Sequence, residues 1–352
     1  MTDRFAMEGR GAYNANSVIQ ASGGALALPM LEEAAQSVPI AGQDRAIVIA
    51  DYGSSEGRNS ALAIRAALAR FRARFGKRRP IIVVHTDLPA NDFSTLFRVV
   101  EAEGCGYASD DDAVFPSAVG RSFYRSVLPE NHVDLGWCSY AAQWLSRTPS
   151  LVTGHIVSVR GSAKEREAFI DQARLDWQAF LTLRASELRP GSRLVVAMPA
   201  PDAAGSIPAL PLFDAAIRAI ADMEEDSLLS ASERAAMVLP LHLRTREEML
   251  APFDTSALRS QWRVLSCSIT PAGDAAHDQF VRDGNSQALA AKRAGFFRAT
   301  FGTILASSLA SSRPDDDRRE FLTHLEHRLR DKIEGLQKPL AYAVSTLALQ
   351  KL

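Results

Sequence analysis

Two short blocks constrain this chain more than any other feature. Ala46–Ala50 is an apolar run leading into Asp51-Tyr52-Gly53-Ser54-Ser55-Glu56-Gly57-Arg58-Asn59, and Ile81–Val84 is a second leading into His85-Thr86-Asp87-Leu88-Pro89-Ala90-Asn91-Asp92-Phe93. Each reads as a strand ending in a polar loop, the first loop folded into a tight turn between Gly53 and Gly57. A glycine turn at one strand tip lets the backbone approach a ligand closely. A carboxylate at the next tip, Asp87, can accept hydrogen bonds from ribose hydroxyls. The glycines taken singly would fit any strand–turn–helix connection; Asp87 turns the pair into a nucleoside site.

The turn also discriminates between nucleoside ligands. A dinucleotide site wants Gly-x-Gly-x-x-Gly opening a helix, whose amides meet a pyrophosphate. Here the turn is Gly53-Ser54-Ser55-Glu56-Gly57, with Asp51 two residues ahead of it. Asp51 and Glu56 would repel a pyrophosphate but suit a ligand carrying an amino group and a sulfonium. The expected cofactor is S-adenosyl-L-methionine, with S-adenosyl-L-homocysteine as its product.

Further apolar runs at Arg193–Met198 and Val264–Ile269 alternate with helical patterns, as in a parallel sheet covered on both faces. Ser162 and Glu165 form a capping box opening a long helix whose stripe is Phe169, Ala173, Trp177, Phe180/Leu181 and Leu188, stopped by Pro190-Gly191. That stripe reads as core. Leu340–Leu349 has strand-like alternation and is expected to close the sheet. The fold class expected from these runs is α/β with a mostly parallel sheet.

Forty Lys and Arg against 41 Asp and Glu leave no field to recruit nucleic acid. No apolar run approaches the ~20 residues of a membrane helix, and the first eight residues lack the layout of a signal peptide. Cys105, Cys138 and Cys267 read as reduced thiols of a cytoplasmic protein. The seven histidines show no metal spacing, and Ser139 belongs to no nucleophile-elbow pattern.

Several blocks in order resemble the SABATH methyltransferases, the salicylate, jasmonate, indole-acetate and caffeine-pathway enzymes. They are Met7-Glu8-Gly9-Arg10-Gly11-Ala12-Tyr13 with Asn16-Ser17-Val18-Ile19-Gln20; the glycine-turn block; Asp87-Leu88-Pro89-Ala90-Asn91-Asp92-Phe93; Ser122-Phe123-Tyr124; and Ser139-Tyr140 with Trp144-Leu145-Ser146. The resemblance covers roughly the first 200 residues clearly and the remainder loosely. It implies a Rossmann-like methyltransferase core with a mostly parallel seven-stranded sheet, over 1–201, 262–284 and 330–352, and a helical cap or lid over the substrate pocket, over 202–261 and 285–329. It implies cofactor contacts at Tyr13, Ser54, Asn59, Asp87, Leu88, Ser122 and Phe123, with Asp51 at the neighbouring strand tip either structural or near the methionyl amine. It implies a substrate carboxylate held by Gln20 and Trp144. Tyr140, four residues before Trp144, is expected on the same helical face, and Gln143 forms a polar wall where relatives carry Met or His.

A carboxylate is ionised at neutral pH, so its methylation needs positioning and no general base. Neutral donors such as the Gln amide and the indole N–H orient the anion without quenching it. The expected reaction is methyl-ester formation on a small, largely apolar aromatic, indolic or fatty acid. The alternatives are N-methylation of a heterocycle, a catalytically silent binding protein, and a nicotinamide oxidoreductase, the last disfavoured by the turn. The resemblance allows a homodimer. Positions that carry magnesium ligands in some plant relatives align with Val152 and Met237-Val238-Leu239-Pro240, so no metal is expected.

Overall fold

The computed structural model describes residues 7–42, 45–340 and 342–352. The segment Met1–Ala6, part of the stretch read for a leader, lies outside them. Seven strands form one sheet: β1 Ile47–Tyr52, β2 Ile81–Asp87, β3 Val114–Gly120, β4 Val133–Ser139, β5 Leu188–Ala200, β6 Trp262–Ala272 and β7 Tyr342–Lys351. Their order is β3-β2-β1-β4-β5-β7-β6. The pairs among β1 to β5 are parallel, and β7 runs antiparallel to both neighbours.

Every residue of β1 is buried, as a central strand covered on both faces requires. β3 carries Pro116 at an edge of the sheet, where a missing N–H costs no ladder bond. The C-terminal alternation does form a strand, but β7 inserts between β5 and β6, leaving β6 as the edge. Alternation reports the pleat of a strand and carries no information on which neighbours it takes.

The helix Ala163–Glu187 opens with the expected capping box, Ser162 and Glu165 bonding each other's backbone N–H. Phe169, Ala173, Trp177, Phe180 and Leu181 are buried as expected. Leu188, however, is the first residue of β5, and Pro190-Gly191 lie within that strand. One apolar cluster lies on each face of the sheet, the first including Ile47, Ile64, Phe71 and Leu96, the second including Tyr52, Phe180, Val196 and Leu347.

A separate cluster joins the helices Leu210–Glu225, Ser286–Phe297 and Asp315–Ile333 through Phe213, Ile220, Phe297, Leu325 and Leu329. These helices come from the two stretches read as a lid. Part of the first stretch packs elsewhere. Met249, Phe253 and Leu258 lie under the sheet with Trp177, whose indole N–H donates to the Met249 carbonyl at 3.0 Å. Buried tryptophans take the apolar side chains and the backbone acceptor nearest them, which a helical pattern does not reveal.

Candidate active site

β1 ends at a reversal that two amides tie to β2: Gly53 N–H and Ser54 N–H both donate to the Thr86 carbonyl, at 2.8 and 3.1 Å. Gly53 has φ +92°, and a Cβ there would lie 2.2 Å from the Ala141 Cβ, so only glycine fits. Asp87, half-buried at the tip of β2, accepts from Ser55 N–H and Leu88 N–H, each at 2.7 Å. Burial pushes its carboxyl up to about 6, against the lowering effect of those two amides. The Ser54 and Ser55 hydroxyls are buried without protein partners at the same turn. A site with a glycine-only approach, a strand-tip carboxylate and two orphaned hydroxyls fits a bound nucleoside with a polar tail.

A cavity of about 330 Å³ opens here, lined by Tyr13, Asp87, Leu88, Ser122 and Phe123 together with Gln20, Tyr140, Gln143 and Trp144. Ser54 and Asn59 line an adjoining recess that also touches Tyr13, Gln20 and Tyr140. Nine of the twelve sequence-derived site residues therefore line the cavity, and two more line the recess beside it.

Asp51 is the exception. Its carboxylate bonds His85 Nδ1 at 2.7 Å, and His85 Nε2 meets the Tyr107 hydroxyl at 2.7 Å, all buried inside the sheet. Asp51 and His85 are direct register partners on β1 and β2, so their side chains meet across the strands. Glu56 is likewise engaged, accepting from Gly11 N–H at 2.6 Å and Asn14 N–H at 2.9 Å. Both carboxylates satisfy protein donors, one stiffening the strand tips and the other docking the N-terminal block beside the turn.

Tyr140 and Trp144 share the cavity but not a helix. They follow β4 in a loop, with Tyr140 at φ +53°. Trp144 bridges to Leu241, Leu145 N–H donates to the Pro240 carbonyl at 2.7 Å, and the Tyr124 hydroxyl donates to the Trp144 carbonyl at 2.6 Å. Tyr140 is seated against Gly23, where a Cβ would fall 1.8 Å from its hydroxyl oxygen. The pair Gly23-Gly24 inside the helix Val18–Ala25 was the sequence signal for that close approach.

Gln20 is 4 % exposed; its Nε2 donates to Thr300 Oγ1 at 3.1 Å, and its Oε1 is buried without a partner. Thr300 and the cap residues Phe213, Phe296 and Phe301 line the cavity, Phe301 with its ring centre 5.8 Å from that of Trp144. Sequence reading missed these, since the pattern of the cap supplies no register against the sheet.

It also missed Arg184 and Glu187. This fully buried pair, 2.7 Å apart, holds the loop that carries Phe123. Arg184 donates to the Phe123 carbonyl at 2.7 Å, and Glu187 accepts from Val127 N–H at 2.8 Å and from the Tyr52 hydroxyl at 3.0 Å.

The whole chain superposes on a solved loganic acid methyltransferase carrying S-adenosylhomocysteine, with a TM-score of 0.77 at 19% identity and 98% of each chain covered. At that identity the likeness is one of fold. More narrowly, the chain belongs to the family described as SAM dependent carboxyl methyltransferases, which matches residues 3–351.

Among curated relatives it is 31% identical over 248 residues to methyltransferase LUC1 of Fusarium sp, covering 69% of this chain and 65% of that protein. It is 27% identical over 260 residues to methyltransferase FUS9 of Gibberella fujikuroi, covering 73% and 69%. It is 28% identical over 262 residues to gibberellic acid methyltransferase 1 of Arabidopsis thaliana, covering 65% and 67%. The matched region thus spans about two thirds of the length of these relatives. No helix among the described residues is long and apolar enough to cross a membrane.

Proposed function

We propose that this protein uses S-adenosylmethionine to form the methyl ester of an apolar carboxylic acid. The observation that carries the reading is the convergence of Gln20 and Trp144 on a largely apolar cavity continuous with the Asp87 cradle. When bound, the cofactor supplies an electrophilic methyl group on a sulfonium. Asp87 would take the ribose hydroxyls, and Leu88 and Phe123 would flank the adenine, with Ser122 in polar contact. Tyr13, Ser54 and Asn59 would surround the remaining polar groups. Gln20 and Trp144 orient the acid by neutral hydrogen bonds, while Tyr140 and Gln143 shape the wall beside it. The surrounding Leu212, Phe213, Phe296 and Phe301 exclude water and thereby strengthen those bonds. The helices that build this roof act as a cap contributed by 202–261 and 285–329, of which the part around Met249–Leu258 supports the sheet instead.

The free thiols suit a reducing cytoplasmic setting, and a homodimer is part of the same reading through the family resemblance. Transfer from labelled cofactor to aromatic, indolic and fatty acids tests the function. Methyl esters are the expected products; transfer confined to ring nitrogens of heterocycles would replace this reading.

Two expected outcomes follow from the chemistry of the site. Ribose hydroxyls donate to the ionised form of Asp87, so cofactor affinity is expected to fall as pH drops through about 6. The loss is ~10-fold at one unit below that value if only the carboxylate binds. Calorimetry with S-adenosylhomocysteine measures this, and Asp87→Asn should bind weakly with no pH dependence over the same window.

The second outcome concerns magnesium. Val152 and Val238 pack with Leu145, Phe169 and Ala173 in a small apolar cluster, whose side chains offer a cation no oxygen. Activity is expected to survive exhaustive chelation. A large loss restored specifically by magnesium would show that the alignment of these positions is wrong.

A further inference from the structure

The helix Ser286–Phe297 does not continue regularly into the cap. It passes into a π-turn, Arg298–Gly302, before the short helix Thr303–Ala306. Such turns are rare and recur at functional sites, because the extra residue redirects side chains out of the helical register. This one is fastened from two sides. Arg298 bonds Glu8 at 2.8 Å and Glu326 at 2.9 Å, and Glu8 N–H donates to the Ala299 carbonyl at 3.2 Å. Beside Phe301, the polar residue it delivers into the cavity is Thr300, 7 % exposed and in contact with Gln20.

The present hydrogen bond leaves an imbalance. With Nε2 donating to Thr300 Oγ1, the Gln20 Oε1 is a buried acceptor without a donor, and a carboxylate brought beside it would be repelled. A threonine hydroxyl both donates and accepts, and the two ends of a glutamine amide have nearly the same shape. Turning the amide over pairs the acceptor without changing the packing and leaves the Nε2 hydrogens for an incoming acceptor. Thr300 O–H would then donate to Oε1, and Nε2 would stand where Oε1 now is.

Building on the proposed function, we propose that Thr300 is the positioning residue for the methyl acceptor. With acid bound, its hydroxyl donates to Gln20 Oε1 and so directs the Gln20 amide hydrogens at the substrate carboxylate. The cap thereby sets the polarity of a donor that belongs to the N-terminal block. Any acid the cavity accepts meets the same requirement, so Thr300 acts on carboxylate recognition as such.

The test uses Thr300→Val, Thr300→Ala and Thr300→Ser, in the wild-type and Gln20→Ala backgrounds. Ester formation and calorimetric binding of the acid are measured at saturating cofactor. Thr300→Val and Thr300→Ala are expected to lose ~10-fold in kcat/KM for the acid with cofactor affinity unchanged. Thr300→Ser, which keeps the hydroxyl, is expected to restore most of that loss. In the Gln20→Ala background, removing the hydroxyl should cost little more, because the group it directs is gone.

Wild-type kcat/KM in both hydroxyl-free variants would overturn the proposal, as would a loss undiminished in Gln20→Ala or not restored by Ser. If Val does not fold, the Ala and Ser pair decides. A wild-type protein that neither esterifies nor binds acids would instead overturn the proposed function, and this inference with it.

Discussion

Gln20→Ala and Trp144→Phe are each expected to lower turnover on the acid by about 100-fold while leaving S-adenosylhomocysteine affinity nearly unchanged. A neutral hydrogen bond contributes only ~0.5–1.5 kcal/mol to binding, but a misdirected nucleophile can cost ~100-fold in rate. Both residues line the cavity. Trp144→Phe keeps the aromatic contact with Phe301 while deleting the indole N–H. The measurement is steady-state kinetics with the acid varied at saturating cofactor, alongside calorimetry for the cofactor. A loss confined to KM would mean that these groups bind the acid without orienting it. The rate at saturating cofactor should also be free of a titration near neutrality, because an ionised carboxylate needs no base. A single group titrating near pH 7, together with an N-methylated product, would move the protein to heterocycle chemistry.

Arg184→Met is expected to destabilise the fold by about 3–5 kcal/mol, the scale for breaking a buried ion pair by removing one partner. Glu187 would keep the Tyr52 hydroxyl and the Val127 amide but remain charged in a dry interior. The guanidinium also lies over the Tyr52 ring at 4.5 Å, a contact the thioether replaces poorly. Denaturant unfolding gives the stability change. Because Arg184 also holds the Phe123 carbonyl, the folded fraction should bind S-adenosylhomocysteine more weakly. Arg184→Lys should fall between the two, since an ammonium keeps the charge but loses the fork that reaches Glu187, Phe123 and Arg125 together. A stability loss below ~1 kcal/mol for Arg184→Met would mean that the pair adds little beyond its desolvation cost.

The comparison of sequence with structure turns on the range of each interaction. The strands behind Asp51 and Asp87 were legible because a fully covered parallel sheet imposes apolar runs on the chain. The Ser162–Glu165 cap was legible because both its bonds close within three residues. Gly53 was legible because a positive φ against a packed Ala141 admits no side chain. The grouping of Gln20, Tyr140, Gln143 and Trp144 was reached through the family resemblance and not from spacing. The helical face invoked for Tyr140 and Trp144 turned out to be a loop.

The roles of the carboxylates were beyond the sequence for a simple reason. Asp51, Glu56 and Asp87 look alike in a string, and each takes its role from the donor that folding brings to it. His85 takes Asp51, the amides of Gly11 and Asn14 take Glu56, and Asp87 is left with two amides and an open face. The sequence by itself determined five of the seven strands, the glycine turn and the acid at the tip of β2, since these are written in local patterns of hydrophobicity and backbone freedom. Only the tertiary structure decided that β7 sits inside the sheet, that Arg184 and Glu187 brace the Phe123 loop, and that Thr300 meets Gln20 across 280 residues. Those pairings depend on which surfaces meet when helices pack, and no short-range periodicity encodes that choice.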